Sequence, residues 1–270
     1  MTPSSPEDLE TLVRAICRNS KYAQIIPSLV ERVASEELEK RGDIRTALKT
    51  ARTRLHQVTG AFLAPEINYT KWEDILNTIP ADDEPAWQDY CTRLMRLHNS
   101  TAERLPYIGH FFKTCLAEIS PVHSVLDLAC GLNPLAQPWM PLSPDFVYYA
   151  CDVVLPMLDF LNRFFNQRNI TGNALPCDLS ACVPRQQVQV AFLLKTLPCL
   201  DQLDKTLGAR LLAEINAEHI LISYPARSLG GREKGMRQTY AHQFAQLTQN
   251  TSFKVRGFEF PNELVFLLSR

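Results

Sequence analysis

The stretch VLDLACGLNP, residues 125–134, reads as an apolar strand that ends in a glycine turn and feeds a helix. Gly131 permits close backbone approach at that turn, and Pro134 suits the first turn of the helix after it. The stretch contains no GxGxxG, which argues against a pyrophosphate cradle for a nicotinamide dinucleotide. The first β-rich run, HSVLDLA, is followed by FVYYACD, NALPCD, VQVAFLL, HILISYP, FKVRGFEF and ELVFLLS, seven runs in all. Helix-length connections separate the first five, which implies a parallel sheet with right-handed crossovers. Only Pro261-Asn262 separates the last two, so they are expected to pair as a hairpin.

Upstream of Pro121 the sequence reads as helices. Ser5-Pro6-Glu7-Asp8 is a helix start, with a capping hydroxyl, a proline at the first position and acids at the positive end of the dipole. Pro27 opens a second helix that Gly42 ends, and a third is expected from Asp43 to Gly60. Pro80 and Pro85 bracket an acidic linker, with further helices expected over 85–98 and 101–119. The expected organisation is an α-helical N-terminal subdomain, 1–99, followed by an α/β domain, 100–270. Five parallel strands plus a terminal antiparallel hairpin resemble the seven-stranded, Rossmann-like sheet of class I S-adenosylmethionine-dependent methyltransferases.

The 270 residues are 46% hydrophobic, enough for a sizeable core. A net charge of −1 means that any anionic partner must be met by local patches. None of the eight cysteines stands in a CxxC pair or in a Cys/His cluster with zinc spacing. A cytoplasmic protein without disulfides or a structural metal is therefore expected. The acidic, polar start MTPSSPEDLE does not read as a signal peptide, and no run approaches the length of a membrane span.

Open α/β sheets bind ligands beyond the carboxyl ends of their strands. Acids stand at or after three successive strands: Asp127, Asp152 and Asp178. Asp152 can accept from both hydroxyls of a ribose, and Asp178 from an adenine amino group. An acid after a strand is often only a turn former, but three in succession favour a nucleoside. Before the sheet, in LHNSTAER (97–104), Ser100 or Thr101 can cap a helix with Glu103 completing a capping box. That would put Arg104 in a first turn, against the helix dipole. Either a ligand carboxylate or a nearby acid would explain it, and the residues alone do not choose. His98 and His110 read as structural histidines.

Two cationic features stand apart from the neutral whole. The segment ISYPARSLGGREKGMRQTY (222–240) places Arg227, Arg232, Lys234 and Arg237 around Gly230 and Gly231 at the end of an apolar run. In the third helix Arg41, Arg45, Lys49, Arg52 and His56 share one face, free of acids, beside an apolar stripe of Ile44, Leu48, Ala51, Leu55 and Val58. The cationic face is expected to dock on RNA, with Lys21 and Arg54 as weaker candidates.

HNSTAER, DLACGLNPL, CDV, LLKTLPCLD and above all SYPARSLGGREKGM resemble the aminoglycoside-resistance 16S ribosomal RNA methyltransferases that modify guanine N7 in the decoding site. The similarity continues in SKYAQIIPSLVERV and ARTRLHQVTGAF and covers nearly the whole chain, residues 64–92 matching least. The resemblance implies S-adenosyl-L-methionine as cofactor. Arg104 would hold its carboxylate, Ala129 and Gly131 its methionine end, Asp152 the ribose, and Asp178 with Leu179 the adenine. Lys195 would lie near the methyl-transfer site, and Arg227 at the target nucleotide. Ser228, Arg232, Lys234 and Arg237 would join Arg45, Lys49, Arg52 and Arg54 in meeting the RNA. Thr196, Cys199 and Glu233 depart from the usual pattern. The implied enzyme is a monomer acting on 16S rRNA in the 30S subunit, with no metal and no membrane partner. Two rivals remain: a methyltransferase for another RNA position or a small molecule, and a non-catalytic RNA-binding protein on the same fold.

Overall fold

The computed structural model describes residues 6–57, 67–226 and 235–270. Its first unit is a helical bundle of α1 (Pro6–Cys17), α2 (Ser20–Ala23), α3 (Pro27–Arg41) and α4 (Ile44–Leu55). Gly42, at φ 71°, ends α3, its N–H returning to the Leu38 carbonyl at 2.8 Å. The Asp43 carboxylate then accepts from the Thr46 N–H at 2.8 Å and starts α4. Leu12, Ile16, Leu29, Val33, Ala47, Ala51 and Leu55 close this bundle, so the expected apolar stripe of the third helix is its buried face. Regular α-helix in α4 ends at Leu55, and Val58 and Gly60 lie outside the described residues.

Next come α5 (Tyr69–Leu76), which was not expected, and α6 (Glu84–Met95). The helix expected over 101–119 is instead α7 (Asn99–Ala102), a 3-10 turn (Leu105–Tyr107), α8 (Ile108–Cys115) and a second 3-10 turn (Ala117–Ile119). Pro106 explains the first break, because it has no N–H to continue the ladder. These helices share a core with the sheet, in which Trp87, Phe111 and Phe112 lie with Phe164 and Phe192. Helices α5 to α8 thus share the sheet's core, while α1–α4 close a core of their own against which Val153 and Leu155 pack.

The seven strands are β1 (Val122–Leu128), β2 (Leu142–Asp152), β3 (Thr171–Pro176), β4 (Val188–Leu194), β5 (Ala217–Pro225), β6 (Lys254–Glu259) and β7 (Glu263–Ser269). Their order is β3-β2-β1-β4-β5-β7-β6. The first five are parallel, as expected, and β7 runs antiparallel to both β5 and β6. Helices α9 (Leu155–Gln167), α10 (Leu197–Leu200), α11 (Leu207–Glu214) and α12 (Met236–Thr248) complete the layers. Two expected helical connections differ. A 3-10 helix, Asn133–Trp139, follows β1, and no helix lies between β3 and β4, where Pro184 interrupts a polar run.

Strand order reverses at β1, between β2 and β4, and such a switch point leaves a crevice at the carboxyl ends. The helical bundle is fastened beside it. The Ile26 N–H donates to the Val153 carbonyl and the Leu155 N–H to the Gln24 carbonyl, both at 2.9 Å. Among the described residues, no helix is long and apolar enough to cross a membrane.

Candidate active site

A cleft lies at the carboxyl ends of β1, β2 and β4. Five of the expected cofactor residues line it, Ala129, Gly131, Asp152, Asp178 and Leu179, together with Lys195. The backbone bends sharply there. Ala129 and Lys195 take positive φ of 51° and 60°, and Gly131 takes 51°. Left-handed backbone at non-glycine residues is costly and collects at functional sites. At Lys195 it is held by the residue's N–H, which donates to the Ser223 carbonyl at 2.9 Å. At Gly131 a side chain would also collide, since a Cβ would stand 2.7 Å from the His98 ring.

Asp152 fastens the glycine turn to β2. Its Oδ2 accepts from the Gly131 N–H at 2.9 Å, and its Oδ1 from the Val153 N–H at 2.7 Å. Burial raises its pKa, and the backbone donors offset only part of that rise. His98, expected to be merely structural, lines the cleft. Burial first, then the nearby Lys195 and Arg104, lower its pKa to about 4, so it stands neutral near pH 7. Asp127, expected at the strand end, is instead a buried strand residue. Its Oδ2 accepts from Asn133 Nδ2 at 2.8 Å and from the Tyr148 hydroxyl at 2.7 Å. The nucleoside argument thus rests on two acids, not three.

Arg104 does not sit in the first turn of a helix, because α7 has already ended. Nor does the capping box form. The Thr101 hydroxyl donates to the Met95 and His98 carbonyls, and Ser100 pairs with the His98 ring at 2.9 Å. Of the two partners considered for Arg104, the structure supplies the acid. Nε and Nη2 donate to the two oxygens of Glu263 at 2.9 and 2.7 Å, and Nη1 donates to Asn133 Oδ1 at 2.9 Å. The pair is fully buried, and Arg104 stands behind the cleft, where its guanidinium is already committed. Lys195 joins the same group, with Nζ 2.5 Å from Glu103 Oε2 and 3.8 Å from Glu263 Oε1. Burial alone would raise the Glu263 pKa, but Arg104 and Lys195 outweigh it and leave it lowered. Sequence reasoning missed Glu263. The signal was an acid opening the apolar run ELVFLL directly after a turn.

Asp178 and Leu179 follow β3. Asp178 Oδ2 accepts from Arg32 of α3, and Oδ1 accepts from the Ser180 N–H at 2.9 Å. The Leu179 carbonyl accepts from Arg210 at 2.6 Å. Thr196 and Cys199 serve the backbone locally, donating to the Leu128 and Lys195 carbonyls.

The cationic candidates separate into two groups. Arg45 and Lys49 are exposed on α4. Arg52 is half-buried and donates to the Ala15 carbonyl at 2.7 Å. Arg54 is turned inward, its Nη1 meeting Glu36 at 2.9 Å and Glu37 at 2.8 Å. Its charge is satisfied within the bundle, so the expected RNA contact gives way to an internal ion pair. Arg237, at the start of α12, donates to the Phe260 and Pro261 carbonyls at 2.7 and 3.1 Å and thereby ties α12 to the terminal hairpin. Arg227, Ser228, Arg232 and Lys234, with the two loop glycines and Glu233, lie outside the described residues.

The model of a ribosomal RNA methyltransferase family, FmrO, matches residues 18–267. The chain belongs to this family. Within it, a 16S rRNA (guanine(1405)-N(7))-methyltransferase of Micromonospora rosea is 34% identical over the whole of both chains. A protein of the same name from Frankia casuarinae is 32% identical, covering 99% of this chain and 95% of its own. The crystal structure of the 16S rRNA methyltransferase RmtF in complex with S-adenosyl-L-homocysteine aligns with a TM-score of 0.84 at 29% identity, over 99% of this chain and 100% of that one. The 16S rRNA methylase RmtB shares the fold, with a TM-score of 0.80 at 23% identity over 98% and 100%.

The FmrO-family cleft has the chemistry that a nucleoside cofactor requires. It combines buried carboxylates with strained backbone that brings main chain close to the space between them. Among the described residues no cluster of His, Cys, Asp or Glu has metal-binding geometry.

Proposed function

We propose that this chain methylates guanine N7 in the decoding site of 16S rRNA, using S-adenosyl-L-methionine and acting on the assembled 30S subunit. The carrying observation is that the cleft, with Asp152 and Lys195 facing it, occurs in a chain that matches guanine-N7 methyltransferases along its full length. The predicted consequence is resistance to gentamicin- and kanamycin-type drugs, whose binding site an added methyl and positive charge would crowd.

Bound S-adenosyl-L-methionine supplies an electrophilic methyl group on sulfonium. Guanine N7 carries a lone pair and no proton, so the residues around it need not remove one. Their task is orientation. Asp152, its Oδ1 held by the Val153 and Val154 N–H groups and its Oδ2 by the Gly131 N–H alone, keeps a lone pair on Oδ2 for a ribose hydroxyl. Ala129 and Gly131 let main chain approach the methionine end. Asp178 and Leu179 face the adenine. Lys195 presents an ammonium at the transfer site, where Glu103 and Glu263 fix its position, and Arg104 serves the site through Glu263. His98, held neutral, packs on the glycine turn without adding charge.

N7 faces the major groove, which in RNA helices is deep and narrow, so the base must leave its stack. Cations on the flanking phosphates would hold it out. Arg45 and Lys49 are exposed for this, with Arg52 at their edge. Arg227, Ser228, Arg232 and Lys234 complete the contact in our reading. The α1–α4 bundle docks on the ribosomal subunit and the sheet domain performs the transfer. We assign the protein to the cytoplasm, as a monomer, and the transfer as written requires no metal. Incubation with S-adenosyl-[methyl-³H]methionine tests the reading, with label expected in 30S subunits and not in 50S subunits. Label absent from 30S subunits, despite demonstrated cofactor binding, would contradict it.

A further inference from the structure

Asp178 is held from outside its own domain. Arg32 of α3 donates through Nε and Nη2 to Asp178 Oδ2 at 3.1 and 3.0 Å, and Nη2 also reaches the Ser180 hydroxyl. Asp178 is 7% exposed, so this contact is made in a largely dry setting. The guanidinium is aimed from behind. Its Nη1 donates to Glu36 at 2.8 Å, one turn along α3, and Glu36 in turn pairs with Arg54 of α4 at 2.9 Å. The ion pairs therefore run unbroken from α4, which carries the exposed Arg45 and Lys49, to the loop after β3. Leu29, one turn before Arg32, lines the cleft directly. Just beyond Asp152, the backbone bonds at Val153 and Leu155 fix the bundle against the same crevice.

We propose that α3 of the N-terminal bundle is a wall of the cofactor site, with Arg32 as the positioning residue that sets the Asp178 carboxylate for adenine. The inference rests on the cofactor reading given above. An acceptor for an exocyclic amino group must present a lone pair in a fixed plane. Two donors from Arg32 on one oxygen and the Ser180 N–H on the other fix that plane. The Ser180 hydroxyl also donates to Asp178 Oδ1, and as a single rotor it is the partner that an adenine amino group can displace. Lysine in place of Arg32 would keep the charge and lose the two-pronged geometry. Arg32 thereby makes the RNA-docking bundle part of the cofactor site.

The test is calorimetric titration of S-adenosyl-L-homocysteine into the full chain and its Arg32→Gln, Arg32→Lys, Asp178→Asn and double Arg32→Gln/Asp178→Asn variants. Thermal melts check that each is folded. Arg32→Gln is expected to weaken binding about tenfold and Arg32→Lys by less, with no further loss from Arg32→Gln once Asp178 is Asn. The discrimination against S-inosylhomocysteine, in which a carbonyl replaces the amino group, is expected to shrink in Arg32→Gln. Unchanged affinity in a folded Arg32→Gln would overturn the proposal, as would an equal loss in the Asp178→Asn background. Absence of binding by the unaltered chain would instead overturn the cofactor reading on which it rests.

Discussion

Arg104 and Glu263, 159 positions apart, form a two-pronged ion pair with both side chains out of solvent. The pair stitches the segment before the sheet to the first residue of its last strand, and Lys195 shares the same carboxylate. Breaking such a pair leaves an uncompensated buried charge, which costs about 3–5 kcal/mol. Glu263→Ala is therefore expected to lower the denaturant midpoint severely. Asp201→Ala, on the partly exposed end of α10, is expected to change it little. Chemical denaturation of the two variants checks this.

Asp127 gives a pH dependence with a definite sign. Burial raises its pKa from 3.8 to about 7. Between those values the folded chain holds a proton that the unfolded chain has released, so this group's contribution to stability falls as pH rises through the interval. Asn keeps the acceptor oxygen for Asn133 and Tyr148 and cannot ionise. Asp127→Asn is expected to flatten the stability curve between about pH 4 and pH 7, and to gain on the unaltered chain most at pH 7 and above. Urea titrations across that range measure it.

The two cation groups on α4 make opposite predictions. Arg45→Glu and Lys49→Glu, on exposed positions, are expected to abolish methylation of 30S subunits while leaving the melting temperature and cofactor affinity in place. Removing one cation from a phosphate should reduce the log–log salt dependence of 30S binding by about one. Arg54→Glu is expected to destabilise the bundle, because it sets a third acid against Glu36 and Glu37. Filter binding at several salt concentrations, with a thermal melt, separates the two outcomes.

Gly131→Ala meets two penalties, a positive φ and a Cβ 2.7 Å from the His98 ring. A loss of about 1–3 kcal/mol in stability is expected from the backbone conformation, together with weakened cofactor affinity. His98→Ala in the same chain would relieve the clash but not the φ, so it should restore only part of the stability. The four proteins of that cycle give the answer by thermal denaturation.

The sheet was legible because strands announce themselves by apolar runs between turn residues, and β-branched VQVAFLL or ILIS admits few other structures. The glycine turn, Asp152 and Lys195 were legible for the same reason, each standing at the end of such a run. What the sequence did not carry were the ion-pair partners. Arg104, Arg54 and Asp178 are all charged residues whose counter-ions lie far away in sequence, at Glu263, Glu36 and Arg32. Spacing carries no record of such pairs. Asp127 was misread because it stands only one residue before the end of β1, and spacing does not show that its side chain turns into the core. Cores follow packing, which spacing does not record: Trp87, before the expected boundary near residue 99, packs on Phe164 of α9.

The central claim is the atom and the site of methylation. The direct measurement is borohydride–aniline cleavage of 16S rRNA after incubating the protein and S-adenosyl-L-methionine with 30S subunits, and separately with naked 16S rRNA. The account predicts one new cleavage, at a single decoding-site guanine, in the 30S sample alone. Methyl incorporation without cleavage at any guanine would contradict the N7 assignment, and cleavage of naked rRNA as efficient as that of 30S subunits would contradict the assembled substrate.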